Sequence, residues 1–184
     1  CNRGVSLFLK NHFEGDDMRM SQLVLALGLG FAVSSAAFAY SPFSLPQMNP
    51  EVDPRETYDS STVENGIFVL EFYQLFCGGC NANAQNVNDF ADEFAGDEQV
   101  QILAVGLDSR DSQYDQWNSR HNPNHPVLKA SGSQLARDAG IRTIPTAVIL
   151  DCEYAEIFRH SGGWSESVKA EMRSAIEDAK SYCQ

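Results

Sequence analysis

The chain has 184 residues, of which 43% are hydrophobic, and its formal net charge at pH 7 is −12. That length allows one domain with a sizeable core and is too short for two ordinary domains. The acidic surface repels nucleic acid and anionic lipid, and the sequence contains no basic patch to overcome the repulsion. We therefore exclude nucleic-acid functions and attribute the charge to solubility.

The first 39 residues have the pattern of an upstream segment followed by a secretory signal peptide. Met18 or Met20 is a plausible start, and the apolar run over residues 23–33 precedes the small-residue site Ala37-Phe38-Ala39. Cleavage near Ala39 leaves a mature chain of 145 residues that still carries a charge of −12. An uncleaved membrane anchor is the alternative, although residues 23–39 are at the short limit for a span. Residues 1–17 have no core pattern and are expected to precede the true start.

The mature chain begins with a proline-rich lead-in over residues 40–64. A proline stands at every fourth position from residue 42 to residue 54, which is too frequent for a helix. We expect an extended segment with room for one short strand. The domain itself is expected over residues 65–184. It opens with the turn signal Asn65-Gly66 and the β-branched, aromatic run IFVLEFY, which predicts a buried central strand.

Two cysteines, Cys77 and Cys80, follow that strand and precede a helical pattern. Apolar side chains recur there at helical spacing as far as Phe94, and Gly96 is expected to end the helix. A second buried run, VQILAVGL over 100–107, predicts another strand. Because a helix connects the two strands, they are predicted to be parallel.

The second half of the chain continues the alternation of helices and strands. Its predicted elements are a polar helix over 108–120, a loop over 121–127, a short helix over 133–141, the strand TAVIL over 146–150, an antiparallel return strand over 155–160 and a helix capped by Ser165 that runs to Tyr182. Tyr114 and Trp117 fall on one side of the polar helix.

Two local motifs give this order of elements a family resemblance. FCGGC, residues 76–80, opens a helix directly after a buried strand, and GIRTIPTAVIL, residues 140–150, follows about 65 residues later. The arrangement resembles the thioredoxin fold, and the polar helix resembles the insertion in the TlpA-like branch of extracytoplasmic thiol reductases. The resemblance covers residues 66–179. It implies an α/β fold with a central mixed β-sheet flanked by helices and an inserted helix between the second and third core strands.

The sequence also departs from thioredoxin, and the departures concern the potential and the partners rather than the reaction. Phe76 replaces the usual tryptophan, Gly78-Gly79 replaces a pair that contains proline, and Thr143 replaces a glycine. Strongly oxidising members such as DsbA carry a histidine between the cysteines, and this chain has none. We therefore favour reduction or isomerisation of protein disulfides over primary oxidation.

The resemblance also assigns roles to individual residues. Cys77, at the first turn of a helix, is expected to be the attacking thiolate, and Cys80 the resolving cysteine. Glu71, six residues before Cys77, stands where thioredoxin keeps a buried acid that relays a proton; the alternative is that Glu71 faces solvent. Pro145, with a cis peptide bond, and Ile144 are expected to bind an extended substrate, together with Phe76.

Other interpretations of the cysteine pair remain open. A zinc site formed with His121 and His125 is disfavoured, because these histidines lie in a turn-rich loop that is expected to be solvated. Copper handling by the two thiolates is a second alternative, and a binding module without catalysis is a third. Peroxiredoxin chemistry requires a Thr-x-x-Cys motif, which is missing before Cys77. We expect no metal and no dissociable cofactor.

The remaining pair, Cys152 and Cys183, lies at the pole opposite the active site in a thioredoxin-like topology. We predict a structural disulfide between them, as suits an oxidising compartment. The protein is therefore expected to be periplasmic or secreted, and to be a monomer. Its predicted partners are protein thiols or disulfides and a membrane electron donor that keeps it reduced.

Overall fold

The structure, a computed structural model, describes residues 39–184. The predicted signal peptide therefore lies outside the described residues, apart from Ala39. Within residues 39–184, the apolar length that a bilayer-crossing helix needs is not reached by any helix.

The described residues form seven strands and four α-helices. The strands are β1 (Ser44–Pro46), β2 (Thr57–Asp59), β3 (Ile67–Tyr73), β4 (Val100–Gly106), β5 (Val127–Lys129), β6 (Thr146–Leu150) and β7 (Glu156–Ser161). The helices are α1 (Gly78–Glu93), α2 (Asp111–His121), α3 (Gln134–Asp138) and α4 (Glu166–Lys180). A single 3₁₀ turn, Ser60–Thr62, follows β2.

Five of the strands form one mixed sheet in the order β5-β4-β3-β6-β7. Strands β3, β4 and β5 are parallel, whereas β6 is antiparallel to both β3 and β7. The central strand β3 is buried along its whole length, as its continuous apolar run predicts. This arrangement confirms the predicted α/β thioredoxin-like fold with an inserted helix, which is α2.

The side chains of β3 alternate between two halves of the core. Ile67 and Val69 pack beneath α1 and α4, whereas Phe68 and Leu70 face the opposite side, where α3 and the β1-β2 pair lie. Glu71 follows the odd-numbered residues and therefore lies on the α1 side. Helix α2 extends the core on that side, because its Tyr114 and Trp117 are buried against the end of β3.

The structure contains two short elements that the sequence analysis did not assign. The lead-in forms the antiparallel pair β1-β2 where one strand was expected. Residue 127, predicted to lie in a loop, begins the edge strand β5 beside β4. Asn49 of the lead-in accepts the N–H of Val127 at 2.9 Å and donates to the carbonyl oxygen of His125 at 2.9 Å. A three-residue strand held by such a distant partner leaves no periodic pattern in its own sequence.

Cys152 and Cys183 are joined by a disulfide, with their Cα atoms 5.8 Å apart. Cys152 follows the end of β6 that pairs with the start of β3, whereas Cys77 follows the other end of β3. The bond therefore lies at the end of the central strands that is opposite to Cys77 and Cys80. It ties the end of the chain after α4 to the turn between β6 and β7.

Replacing both Cys152 and Cys183 with alanine is expected to lower the free energy of unfolding by about 3 to 4 kcal/mol, because the cross-link closes a loop with a sequence separation of 31 residues. Urea unfolding of the oxidised protein, followed by tryptophan fluorescence, measures the change. Disulfide-exchange activity should be retained, since the pair is remote from Cys77. An unchanged urea midpoint would show that the bond contributes nothing to stability.

Candidate active site

The first turn of α1 carries a second disulfide, between Cys77 and Cys80. Cys77 is the N-cap of the helix, and its Sγ accepts the backbone N–H of Cys80 at 3.0 Å. The positive end of the helix dipole and this N–H both stabilise a thiolate at Cys77 once the bond is reduced. Cys80 is fully buried while Cys77 is partly exposed. An external thiol can therefore reach only the Cys77 sulfur.

The segment before β6 meets this disulfide. The Ile144-Pro145 peptide bond is cis, and the carbonyl oxygen of Ile144 lies 3.6 Å from Cys77 Sγ. Pro145 packs so closely on α1 that a Cβ added to Gly79 would lie 3.2 Å from the Cδ of Pro145. Gly78 has open space at the same position. The lack of a side chain at Gly79 therefore lets Pro145 pack closely on α1, whereas Gly78 faces solvent.

Phe76 precedes the disulfide and exposes 74% of its surface. The other exposed large apolar side chains among the described residues, Val52 and Tyr182, are less exposed, at 39% and 56%. Phe76 thus places an exposed apolar side chain directly before the first cysteine of the disulfide.

Glu71 lies in the middle of β3 and is 1% exposed. Its register partners in the sheet are Ala104 and Ala147, whose small side chains leave room for a carboxyl group beneath α1. Its Oε1 accepts a hydrogen bond from Asn83 Nδ2 at 2.9 Å. Burial raises the pKa of Glu71 to about 7, and the bond from Asn83 opposes that rise. The group can therefore both take and release a proton near neutral pH.

Two polar residues that the sequence analysis missed hold the loop before Cys77 in place. Asp108, just after β4, accepts the N–H of Leu75 at 2.8 Å. Asn81 donates its Nδ2 to the carbonyl oxygens of both Leu75 and Cys77, each at 2.8 Å. The position of Asn81 inside the CxxC helix and that of Asp108 at a strand end were the available signals. Neither position indicates which backbone group the side chain binds.

The inserted helix α2 supports the same loop through Asn81. Its last turn brings Arg120 Nη1 to 2.7 Å and His121 Nε2 to 2.9 Å from Asn81 Oδ1. Since the amide nitrogen of Asn81 already serves two carbonyls, Oδ1 is the acceptor and His121 carries its proton on Nε2. The insertion thus contacts the active-site helix directly.

The expectation that the loop holding both histidines is solvated is wrong for His125, which is 5% exposed. Burial lowers the pKa of His125 to about 4, and its Nδ1 lies 3.0 Å from Asn124 Oδ1. Its backbone is held by the lead-in, because Asn49 Nδ2 donates to the carbonyl oxygen of His125. Across residues 39–184, the His, Cys, Asp and Glu side chains include no group of three or more suited to hold a metal ion.

A thioredoxin-like fold with a disulfide at a helix N-terminus beside a cis-proline defines the class of thiol-disulfide oxidoreductases. The sequence profile of the AhpC/TSA family matches residues 40–155, and the chain belongs to this family.

Known proteins agree with this class. The chain is 24% identical over 168 residues to thiol-disulfide oxidoreductase ResA of Halalkalibacterium halodurans, covering 87% of this chain and 94% of the relative. It is 23% identical over 134 residues to thiol:disulfide interchange protein DsbE of Vibrio cholerae, covering 70% of each. A solved thioredoxin-family thiol:disulfide interchange protein from Chlorobium tepidum matches with a TM-score of 0.62 at 16% identity, covering 77% of this chain and 94% of that one. The predicted resemblance and enzyme class are thereby confirmed.

Proposed function

We propose that the protein is an exported enzyme that reduces or isomerises disulfide bonds in other proteins. The observation that carries the proposal is the exposure difference in the dithiol pair. Cys77 is partly exposed, with its sulfur 3.6 Å from the Ile144 carbonyl oxygen, whereas Cys80 is fully buried. One sulfur can attack a substrate and the other can only resolve the product.

The reaction begins from the reduced pair. The Cys77 thiolate attacks one sulfur of a substrate disulfide, forms a mixed disulfide and expels the other sulfur as a thiolate. The Cys80 thiol then gives its proton to the Glu71 carboxylate and attacks Cys77 Sγ. This step releases the second substrate thiolate and leaves the Cys77-Cys80 disulfide. Two electrons pass to the substrate, and the proton on Glu71 goes to solvent or to the departing thiolate.

Three residues are proposed to bind the substrate chain. Ile144 and Pro145 offer a backbone edge next to Cys77, and an extended peptide can pair with it. Phe76, next to Cys77 in the chain, adds an exposed apolar surface. Backbone pairing recognises no particular sequence, which suits an enzyme with protein substrates.

Export is proposed from two features. The sequence before residue 40 has the order of a signal peptide, and the remote disulfide between Cys152 and Cys183 suits an oxidising compartment. A reductase in such a compartment needs a source of electrons, for which we propose a membrane donor. The protein is proposed to act as a monomer.

The direction of the reaction is tested by the reduction potential of the Cys77/Cys80 couple. We expect a value below about −200 mV, because no histidine lies between the cysteines to stabilise the reduced form further. The reduced fraction is measured by alkylation after equilibration with glutathione buffers. The variant without Cys152 and Cys183 serves as the control, because it contains one couple only. A potential near that of DsbA, about −120 mV, would instead assign the protein to primary oxidation.

A further inference from the structure

One polar side chain interrupts the buried face of α1. Asn83 is 1% exposed, and its neighbours on that face are Cys80, Ala84, Val87 and Phe90, all of them buried. Asn83 follows Cys80 by three residues, so the two side chains lie on the same side of the helix, one turn apart. An amide at such a position is retained at a cost in free energy unless its hydrogen bonds are satisfied.

Both ends of the Asn83 amide are satisfied, and the partners fix its orientation. Its Oδ1 accepts the backbone N–H of Trp164 at 2.7 Å. A backbone N–H can only donate, so the oxygen must face Trp164 and the nitrogen must face Glu71. Nδ2 therefore presents an N–H to Glu71 Oε1 at 2.9 Å. A flipped amide would place two donors, or two acceptors, against each other.

The loop over residues 162–164, whose Trp164 N–H binds Asn83, is itself bonded to the active-site segments. Trp164 is buried and packs edge-on against Phe90, with ring centroids 5.6 Å apart. Two residues earlier, the N–H of Gly162 donates to the carbonyl oxygen of Pro145 at 2.8 Å. The Trp164 amide is thus anchored to α1 and, through this loop, to the cis-proline segment.

We propose that Asn83 is the positioning residue for Glu71: it holds Oε1 beneath the dithiol and, through its N–H, favours the ionised carboxylate that receives the proton of Cys80. The inference rests on the proposed relay role of Glu71. For this carboxylate, Asn83 is the hydrogen-bond donor among the described residues. Without that donor, only burial would act on Glu71, and the acid would keep its proton to a higher pH.

The test is direct titration of Glu71 in the oxidised protein, in which the cysteines do not titrate. With ¹³C-labelled glutamate, the NMR midpoint of the Glu71 carboxyl is expected to rise by at least about half a pH unit in Asn83→Ala. The matched control is Asn88→Ala, on the same helix, whose amide donates to the carbonyl oxygen of His121 and not to Asn83 or Glu71; it should leave the midpoint in place. In case Asn83→Ala does not fold, Asn83→Asp keeps an oxygen for Trp164, removes the N–H and is expected to raise the midpoint further.

A kinetic readout follows from the same geometry. When the reduced enzyme is mixed with 5,5′-dithiobis(2-nitrobenzoate), the first chromophore reports attack by Cys77 and the second reports attack by Cys80. In Asn83→Ala the second phase is expected to slow by at least about 2.5-fold at pH 6.5 and to recover above pH 9, because a rise of half a unit in the pKa of Glu71 leaves fewer of these groups ionised at the lower pH. The first phase should be unchanged.

The outcomes separate the two claims. An unmoved Glu71 midpoint in the folded Asn83 variants overturns the positioning role, whatever the kinetics. If Glu71→Gln leaves the second phase unchanged, the proposed proton relay fails. If the Glu71 midpoint still rises in Asn83→Ala, the hydrogen bond from Asn83 nevertheless lowers the pKa of Glu71 as proposed.

Discussion

Replacing Cys77 with serine is expected to reduce the turnover of insulin disulfides by at least about 1000-fold, because the reaction loses its nucleophile. Serine keeps the size of the side chain and its ability to cap α1, so the fold should be preserved. A hydroxyl at this position does not ionise near neutral pH and cannot form the mixed disulfide. Precipitation of the insulin B chain in the presence of a reductant measures the rate.

Two control variants sharpen this result. Cys80→Ser keeps the attacking sulfur and should accumulate a mixed disulfide with the substrate, which is detected by mass. Removal of Cys152 and Cys183 should leave turnover intact. Undiminished turnover in Cys77→Ser would eliminate the dithiol mechanism. A natural protein that adds nothing to the rate of the reductant alone would favour the alternative of a binding module without catalysis.

Replacing Glu71 with glutamine is expected to slow the release of the second substrate thiol by about 100-fold, the lower range for loss of a positioned base. Glutamine has the same shape and can still accept the N–H of Asn83, so the geometry of the site is retained. The attack by Cys77 should change little. Stopped-flow measurement of the two thiol-release phases separates these effects.

The same variant should be more stable than the natural protein at pH 8. Burial raises the pKa of Glu71 from 4.5, the value for the free side chain, to about 7 in the folded state. Between these values the folded state holds more protons than the unfolded state, so stability falls as pH rises. Above pH 7 the ionised buried carboxylate costs about 3 kcal/mol, which the neutral glutamine avoids. Near pH 4 the acid is mostly protonated in both states, and the two proteins should differ little.

Urea unfolding of the oxidised proteins at pH 4 and pH 8 measures this pH-dependent difference in the free energy of unfolding. Glu64→Gln, on the exposed turn before β3, is the matched control and should show no pH-dependent gain. Equal stability of Glu71→Gln and the natural protein at pH 8 would mean that the carboxylate is better solvated than its burial indicates. A loss of activity together with a gain in stability is expected of a base held in an apolar core.

The sequence by itself determined the elements that frame the site. The run IFVLEFY coincides with β3 and TAVIL coincides with β6. Local patterns sufficed there, because a continuous apolar strand and a capped amphipathic helix depend mainly on their own residues. The resemblance to the thioredoxin fold that FCGGC and Ile-Pro-Thr carry implied that the two segments meet, and Cys77 Sγ lies 3.6 Å from the Ile144 carbonyl oxygen.

The direction in which Glu71 points was decided only by the tertiary structure. All seven residues of β3 are buried, so its pattern has no period of two from which a face could be assigned. The same holds for Asn83. A polar residue in the apolar stripe of α1 was visible in the sequence, but its partners lie 12 residues before it and 81 residues after it.

Distant contacts also account for the remaining differences. Strand β5 is three residues long, and its first N–H is bound by Asn49, 78 residues away. His125 is buried although the sequence around it is polar and rich in turn residues. Local sequence determined where β3, β4, β6 and the two cysteines of the dithiol fall, because those features depend on neighbours along the chain. Tertiary structure decided how the buried acid is held and oriented, because a hydrogen bond between distant residues depends on the packing of the whole core.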